Sequence, residues 1–385
     1  MTTERFDHVV IGLGGLGSAA AYQLARRGHR VLGLERFELG HVRGASHDSS
    51  RILRNSYHTP AYVRLTREAY ADWADLERSS GQTLVTRTGG LDLFPPDPAI
   101  PSIDYTRSMD EVGVPYEALD GEQVMARWPQ LRLPSGTLAL YQDNAAIVPA
   151  GRTVAVLHEQ ARRLGAQLRE RAPVIGLEDL GDRVRVTTPD GEVEAGGVVV
   201  TADAWANDVV GHLRLHIPLE VTLEQVTYFS LERPQDLAGL PLWIWMDDPS
   251  FYGFPPYGEP TVKAAQDCGG PTVSPDDRTF DPDPAMAALL TEHLQRMLPA
   301  VGEPIRSVRC QYTLTADRDF VMAPVPGHER VVVGLGAAHA FKFVPTFGRV
   351  LADLVTTGET TSDVSAFGLD RPAITQPDYQ AHWLV

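Results

Sequence analysis

The chain opens with a short β-branched run, Phe6 to Ile11 (FDHVVI), that ends at glycines, as a buried parallel strand does. Gly12-Leu-Gly14-Gly15-Leu-Gly17 follows, then SAAAYQLARRGH, an alanine-rich helical pattern closed by Gly28. A second apolar run, Val31 to Leu34, stops at Glu35, so the segment reads as strand, turn, helix, strand. Residues 62–80 and 149–170 have amphipathic helical spacing, and 283–298 is helical too. Leu91 to Pro101 is proline-rich and reads as irregular. Pro189-Asp190-Gly191 is a turn signal between two alternating runs, and Val198 to Thr201 reads as a buried parallel strand. Residues 217–280 alternate short apolar runs with proline and glycine, the pattern of a mostly antiparallel sheet with loops. Arg330 to Val333 is a late buried strand, ahead of GLGAAHAFKF and a last helix, PTFGRVLADLVTTG.

This layout predicts an α/β fold. A Rossmann-type nucleotide-binding unit (1–90, 146–214 and 301–385) is interleaved with an α+β substrate unit (91–145 and 215–300) on a mainly antiparallel sheet. Two units suit 385 residues, since single cores stop growing at about 250–300. A hydrophobic fraction of 43% with 22% charged residues excludes wholesale disorder. No run approaches the roughly 18 apolar residues of a membrane helix. The start, MTTERFDHVVIGLG, has acids before its apolar stretch and does not read as a secretory signal. The formal charge of −16 disfavours nucleic acid and anionic membranes as partners. Two cysteines, Cys268 and Cys310, are too few for a disulfide framework and suggest a reducing, cytoplasmic setting.

The glycine run has a mechanical meaning. Gly12 makes the tight turn out of the strand, Gly14 lets backbone approach a pyrophosphate, and Gly17 lets helix pack on strand. The helix N-terminus offers free N–H groups to phosphates. Glu35 stands where an acid accepts hydrogen bonds from ribose hydroxyls. The pattern points to a dinucleotide without separating FAD from NAD. Other chemistries find little support. His212 and His216 are four apart but Pro218 follows and no third ligand is near, so no metal is expected. A GxSxG elbow and a CxxC pair are both absent.

Four further segments carry a family resemblance. Arg51 sits in RGASHDSSRILRNSY, Lys263 ends FYGFPPYGEPTVK, Cys310 lies in VRCQYTLTADRDFVMAPVP, and Lys342 lies in VVGLGAAHAFKFVPTFGRVLADL. With the glycine-rich start, they resemble the monomeric sarcosine oxidase, pipecolate oxidase and N-methyltryptophan oxidase family. These are FAD-dependent amine oxidases of D-amino-acid-oxidase-type fold. The resemblance runs from about residue 5 to Pro372.

The resemblance implies FAD held covalently, through a thioether from Cys310 of the C-x-Y-T-x-T run to the 8-methyl carbon. The adjacent Arg309 is expected to favour the thiolate. It implies Arg54 and Lys342 as the clamp on a substrate carboxylate, and Tyr252 and Tyr312 as cavity walls. Lys263 is implied as the cation on the flavin face that meets O2, and Arg51 as the arginine at the reactive edge. Arg36, Ser46, Ser50, Val174 and Gly336, with Lys342, are the remaining expected cofactor contacts.

Three departures stand out. Gly336-Ala337-Ala338 carries methyl groups where the family has a more open loop, which would shift it against the flavin. Asp267 stands where sarcosine oxidases carry a substrate-site histidine; an acid there favours a cationic group and puts sarcosine itself in doubt. Asp203 replaces a glycine, and either caps a helix at Ala204 or moves the chain away from FAD.

The expected function is therefore FAD-dependent oxidation of an N-alkyl or cyclic secondary α-amino acid to an imine, with O2 reduced to hydrogen peroxide by a monomer. No histidine general base is evident in the sequence. The competing readings are a flavin amine dehydrogenase with another electron acceptor, an NAD-linked dehydrogenase, and a flavin-binding protein without catalysis.

Overall fold

The computed structural model describes residues 4–380; residues 1–3 and 381–385, the outer ends of the expected first unit, lie outside the described residues. Strand β1 (Glu4–Ile11) runs into helix α1 (Gly15–Arg26) and returns as strand β2 (Val31–Leu34), parallel to β1. Gly191–Val200 pairs in parallel with the other side of β1, and His328–Leu335 continues the parallel set beyond it. Gln167–Arg169 lies beyond β2, and Val184–Thr188, Gly176–Asp179 and Val321–Val325 complete an eight-stranded sheet. The apolar runs of its inner strands are buried on both faces, the mark of a sheet covered by helices.

Two glycines make the first turn possible. Gly12 has φ +88°, and an added Cβ would lie 2.6 Å from the Thr201 carbonyl oxygen. A Cβ on Gly17 would lie 1.8 Å from the Gly12 carbonyl oxygen, which is backbone and has nowhere to go. Gly17→Ala is therefore expected to cost about 3 kcal/mol or more through forced separation of helix and strand. Thermal unfolding together with the FAD content of the purified variant checks it; a wild-type melting temperature with full FAD would contradict the packing argument.

A second eight-stranded sheet has the order Val301–Leu314, Glu220–Leu231, Val262–Gln266, Phe251–Phe254, Leu242–Trp245, Gly90–Phe94, Leu138–Gln142, Glu117–Asp120. It is antiparallel except where Leu242–Trp245 runs parallel to Gly90–Phe94. A small three-stranded sheet of Arg51–Leu53, Ala146–Val148 and Thr86–Arg87 sits apart from both.

Three local expectations change. Residues 149–170 are not one helix: Ala150–Arg163 is helical, Gly165 turns the chain at φ +93°, and Gln167–Arg169 is a strand. The stretch from Leu91 is not irregular throughout, because Gly90–Phe94 is a buried strand before the prolines begin. Val301–Leu314, expected with the nucleotide unit, pairs with Glu220–Leu231 in the second sheet and delivers Cys310 there.

Candidate active site

The turn after β1, the end of β2 and the segment 36–51 enclose a cavity of ≈790 Å³. Gly12, Gly14, Glu35, Arg36, Ser46, Arg51, Val174 and Gly336 line it. Gly17 lies beneath, packed on Gly12. Ser50 is buried and outside the lining; its carbonyl accepts from Arg51 Nη1 (2.8 Å) and Lys263 Nζ (3.1 Å). Glu35 accepts from the backbone amides of Leu13 (2.8 Å) and Phe37 (3.0 Å). Burial alone would raise its carboxyl, but these bonds and His41 hold it below the usual range. The Gly15 amide donates to Ser46 Oγ (2.9 Å) at the start of α1. The cavity is floored by glycine backbone, at Gly12 with no room for a Cβ, and is lined by an ionised acid. These features fit a dinucleotide.

A smaller cavity of ≈130 Å³ adjoins it. Ala45, His47, Asp48, Arg51, Ala338 and Phe341 line both, so they mark the junction. Arg54, Lys342, Tyr252, Tyr312, Asp267 and Cys310 all line the smaller cavity. Lys342 and Cys310 do not line the larger one. Lys263 lines neither; it is buried behind the wall, with Nζ 2.7 Å from Asp48 Oδ2.

Each cation has a partner that sequence reasoning missed. Arg54 Nη1 donates to Asp92 Oδ1 at 2.5 Å, both buried, and Asp92 outweighs the burial that would otherwise weaken the guanidinium. Arg318 donates through Nη1 and Nη2 to Asp267 Oδ2, each at 3.2 Å, so the acid expected to attract a cationic substrate is already offset by an arginine. Lys342 Nζ donates to Tyr57 Oη (2.6 Å) and the His339 carbonyl (3.1 Å). Burial, then repulsion from Arg54, pulls its ammonium down to about 7. Four basic side chains line the small cavity (Arg51, Arg54, Arg318, Lys342) against two acidic ones (Asp48, Asp267). Asp92 and Lys263, behind the wall, add one charge of each sign, so the cavity has an excess of two positive charges when both lysines are protonated.

Several expectations need correction. Arg309 is not the cation beside Cys310. Neighbours on a strand point to opposite faces, and Arg309 donates instead to Gln225 (3.3 Å) and the Leu223 carbonyl (3.2 Å). Burial pushes the Cys310 thiol up to about 11, against the pull of Arg51. Histidines are present at the site after all: His47 and His339 line the small cavity. Both are held neutral by burial, His47 down at about 4 and His339 well below its ordinary value. Asp203 lines the large cavity at φ +49°, and burial lifts its carboxyl to about 6. It has not left the cavity wall. Ala337 and Ala338 keep left-handed backbone (φ +40° and +73°), so the loop accepts its methyl groups in a conformation that suits glycine.

One compositional signal would have found part of this site. Of 34 basic residues, 32 are arginine and two are lysine, Lys263 and Lys342. Both are buried here. Where arginine serves every other cationic position, a lysine marks a place that wants a compact, titratable charge.

Among the described residues, no helix is long and apolar enough to cross a membrane, and no cluster of His, Cys, Asp and Glu could hold a metal ion. The chain is 36% identical over 376 residues to monomeric sarcosine oxidase of Streptomyces avermitilis, covering 94% of this chain and 96% of that one. It is 27% identical to N-methyl-L-tryptophan oxidase of Citrobacter koseri, over 95% and 99% of the two chains. Among solved structures it is similar to NikD, described as an unusual amino acid oxidase essential for nikkomycin biosynthesis, in its open form. The TM-score is 0.86 at 30% identity, over 95% and 98% of the chains. The FAD dependent oxidoreductase family matches residues 7–354, and with the glycine-floored cavity at its centre this chain belongs to that family of enzymes.

Proposed function

We propose that the protein oxidises a secondary α-amino acid, N-alkylated or cyclic, releasing an imine and hydrogen peroxide. The observation that carries this reading is the excess of two positive charges around a compact cavity that adjoins the dinucleotide cavity. A substrate carboxylate offsets one of them and fixes the substrate's orientation. FAD bound in the larger cavity would supply the redox chemistry, a two-electron oxidation of the substrate coupled to reduction of oxygen.

The chain's residues do the rest. Gly12 and Gly14 allow the pyrophosphate close approach, Glu35 receives the ribose hydroxyls, and Arg36, Ser46, Val174 and Gly336 line the rest of the cofactor's path. Arg51, at the junction, offsets negative charge at the reacting edge. Arg54, braced by Asp92, and Lys342 hold the carboxylate, while Tyr252 and Tyr312 wall the cavity. Asp267, tied to Arg318, brings no net negative charge to the substrate. The reactive amine is the neutral form, whose lone pair supports the developing iminium. Lys263 is the fixed cation on the oxygen side, and Cys310 would tether the ring by a thioether to the 8-methyl carbon, a bond that replaces the S–H and one methyl C–H and gives up two protons and two electrons, the electrons passing to oxygen. We read the protein as a cytoplasmic monomer; its two free cysteines suit a reducing compartment.

Anaerobic addition of proline, pipecolate, sarcosine, N-methyltryptophan or a cationic N-alkyl amino acid is expected to bleach the flavin with at least one of them, and air to restore the colour with release of peroxide. Bleaching by primary D-amino acids alone overturns the substrate class. Recovery only with an added electron carrier overturns the oxidase in favour of a dehydrogenase. On acid precipitation the colour stays with the pellet; colour in the supernatant overturns the Cys310 linkage.

A further inference from the structure

Lys263 occupies an unusual place for a charge. It is the second residue of the strand Val262–Gln266, 3% exposed, with Nζ 3.1 Å from the Ser50 carbonyl and facing the rings of Phe254 (5.3 Å) and Tyr228 (5.9 Å). Arg51 faces it from the Arg51–Leu53 strand as a like charge. His47 faces it as a neutral imidazole, and the uncharged sulfur of Cys310 faces it from Val301–Leu314. Among the described residues acting on the amine, one carboxylate opposes all this: Asp48, with Oδ2 2.7 Å from Nζ.

Asp48 is itself fixed in place. Its Oδ1 accepts from Tyr228 Oη at 2.5 Å, and Tyr228 Oη also meets Ser49 Oγ at 2.8 Å. Asp48 has φ +77°, a conformation that glycine adopts freely and an aspartate adopts at some cost. A carboxylate is thus kept at a strained position, at the junction of both cavities, aimed at one of only two lysines in the chain.

We infer that Asp48 is the positioning residue that keeps Lys263 protonated in its buried site, and so sets the pH up to which that cation serves the reaction with oxygen. Burial and Arg51 pull the Lys263 ammonium down to about 8, with Asp48 pulling the other way. Without the carboxylate the balance tips to the neutral amine near neutral pH. Asp48 itself stays ionised throughout: burial opposes its charge, but Lys263 and Tyr228 hold its carboxyl at about 2.

The lysine count makes a direct test possible. The FAD-loaded protein carrying ¹³Cε/¹⁵Nζ-lysine gives two side-chain signals, assigned with Lys342→Arg. In Asp48→Asn, which keeps the shape and tolerates left-handed backbone, the Lys263 midpoint is expected to fall by about one to three pH units. Asp48→Gly, which suits φ +77° without strain, does the same. The Lys342 midpoint stays where it was, which shows that the site is still folded. The pH at which reoxidation by oxygen declines falls by the same interval. This inference rests on the oxygen-side role proposed for Lys263, and the two fail differently. A Lys263 signal that does not move in either variant overturns the hold of Asp48. A signal that moves while the oxygen profile does not follow overturns the role of Lys263 itself.

Discussion

Replacing Lys263 by methionine is expected to slow reoxidation of the reduced enzyme by oxygen about 100-fold or more, while anaerobic reduction by substrate changes little. The first electron to reach oxygen makes superoxide, and a fixed cation in a dry site offsets that charge without reorganisation. Removing one such preorganised group costs about 10²–10³ in rate. Methionine keeps the length and apolar stem of the side chain, so the strand Val262–Gln266 keeps its packing against Glu220–Leu231 and Phe251–Phe254. The variant also leaves Asp48 buried without its ion-pair partner, which burial disfavours. Its carboxyl is therefore expected to move upward. Stopped-flow mixing of the reduced variant with oxygenated buffer measures the first effect. Reoxidation at the wild-type rate would remove Lys263 from the reaction, and Arg51, whose guanidinium lines both cavities, would be left as the cation at the junction.

The nucleotide-binding half of the fold is legible in the sequence because its constraints are local. A buried parallel strand, three glycines whose missing Cβ atoms are needed within one turn, and an acid at the next strand end all fall within β1, α1 and β2. The Pro189-Asp190-Gly191 turn is local in the same way, and the hairpin of Val184–Thr188 with Gly191–Val200 forms around it. The charged lining of the small cavity is not local. Asp92 meets Arg54 from 38 residues away and Asp267 meets Arg318 from 51. No spacing rule connects such pairs. What the sequence does show is the anomaly each leaves behind. An acid in the middle of GLDLF, a strand buried along its whole length, cannot stay ionised without a cation. Read that way, Asp92 announces an unseen basic partner.

Adjacency misleads where a strand carries the site. Arg309 is next to Cys310 in sequence and on the opposite face in the sheet, whereas Arg51 comes from another sheet altogether. The left-handed Asp48 is silent for a different reason, whereas Asp203 stands out by replacing a glycine of the family pattern. Positive φ is read from glycine, and an aspartate that accepts the strain gives no sign of it. Asp48 and Asp203 both line the cofactor cavity, and of the two only Asp203 was legible beforehand.

The affinity of the site for a simple carboxylate is expected to fall as pH rises above about 7, by up to tenfold per unit. Lys342 sets the sign. In the free protein its ammonium sits at about 7, pulled down by burial and by Arg54. A bound carboxylate favours the charged form and raises that value. Between the free and the bound midpoints binding must take up a proton, so each unit of pH costs up to a factor of ten. Below the free midpoint the ammonium is already present and the affinity levels off. Arg54 adds no slope, because its guanidinium, paired with Asp92, stays charged throughout. Cyclopentanecarboxylate is a suitable probe, since it has no amine whose own titration would overlay the effect. Perturbation of the flavin spectrum, followed from pH 6 to 9, reads its affinity directly. Lys342→Met is expected to weaken binding about ten- to 150-fold at pH 6, the worth of one charge-assisted hydrogen bond, and to flatten the profile. Lys342→Arg keeps the charge at every pH and should flatten the profile without that loss, provided the longer fork still reaches Tyr57. A slope that survives Lys342→Met would place the titrating group elsewhere. Lys263 is the other lysine, and its midpoint near 8 would then show in where the slope begins.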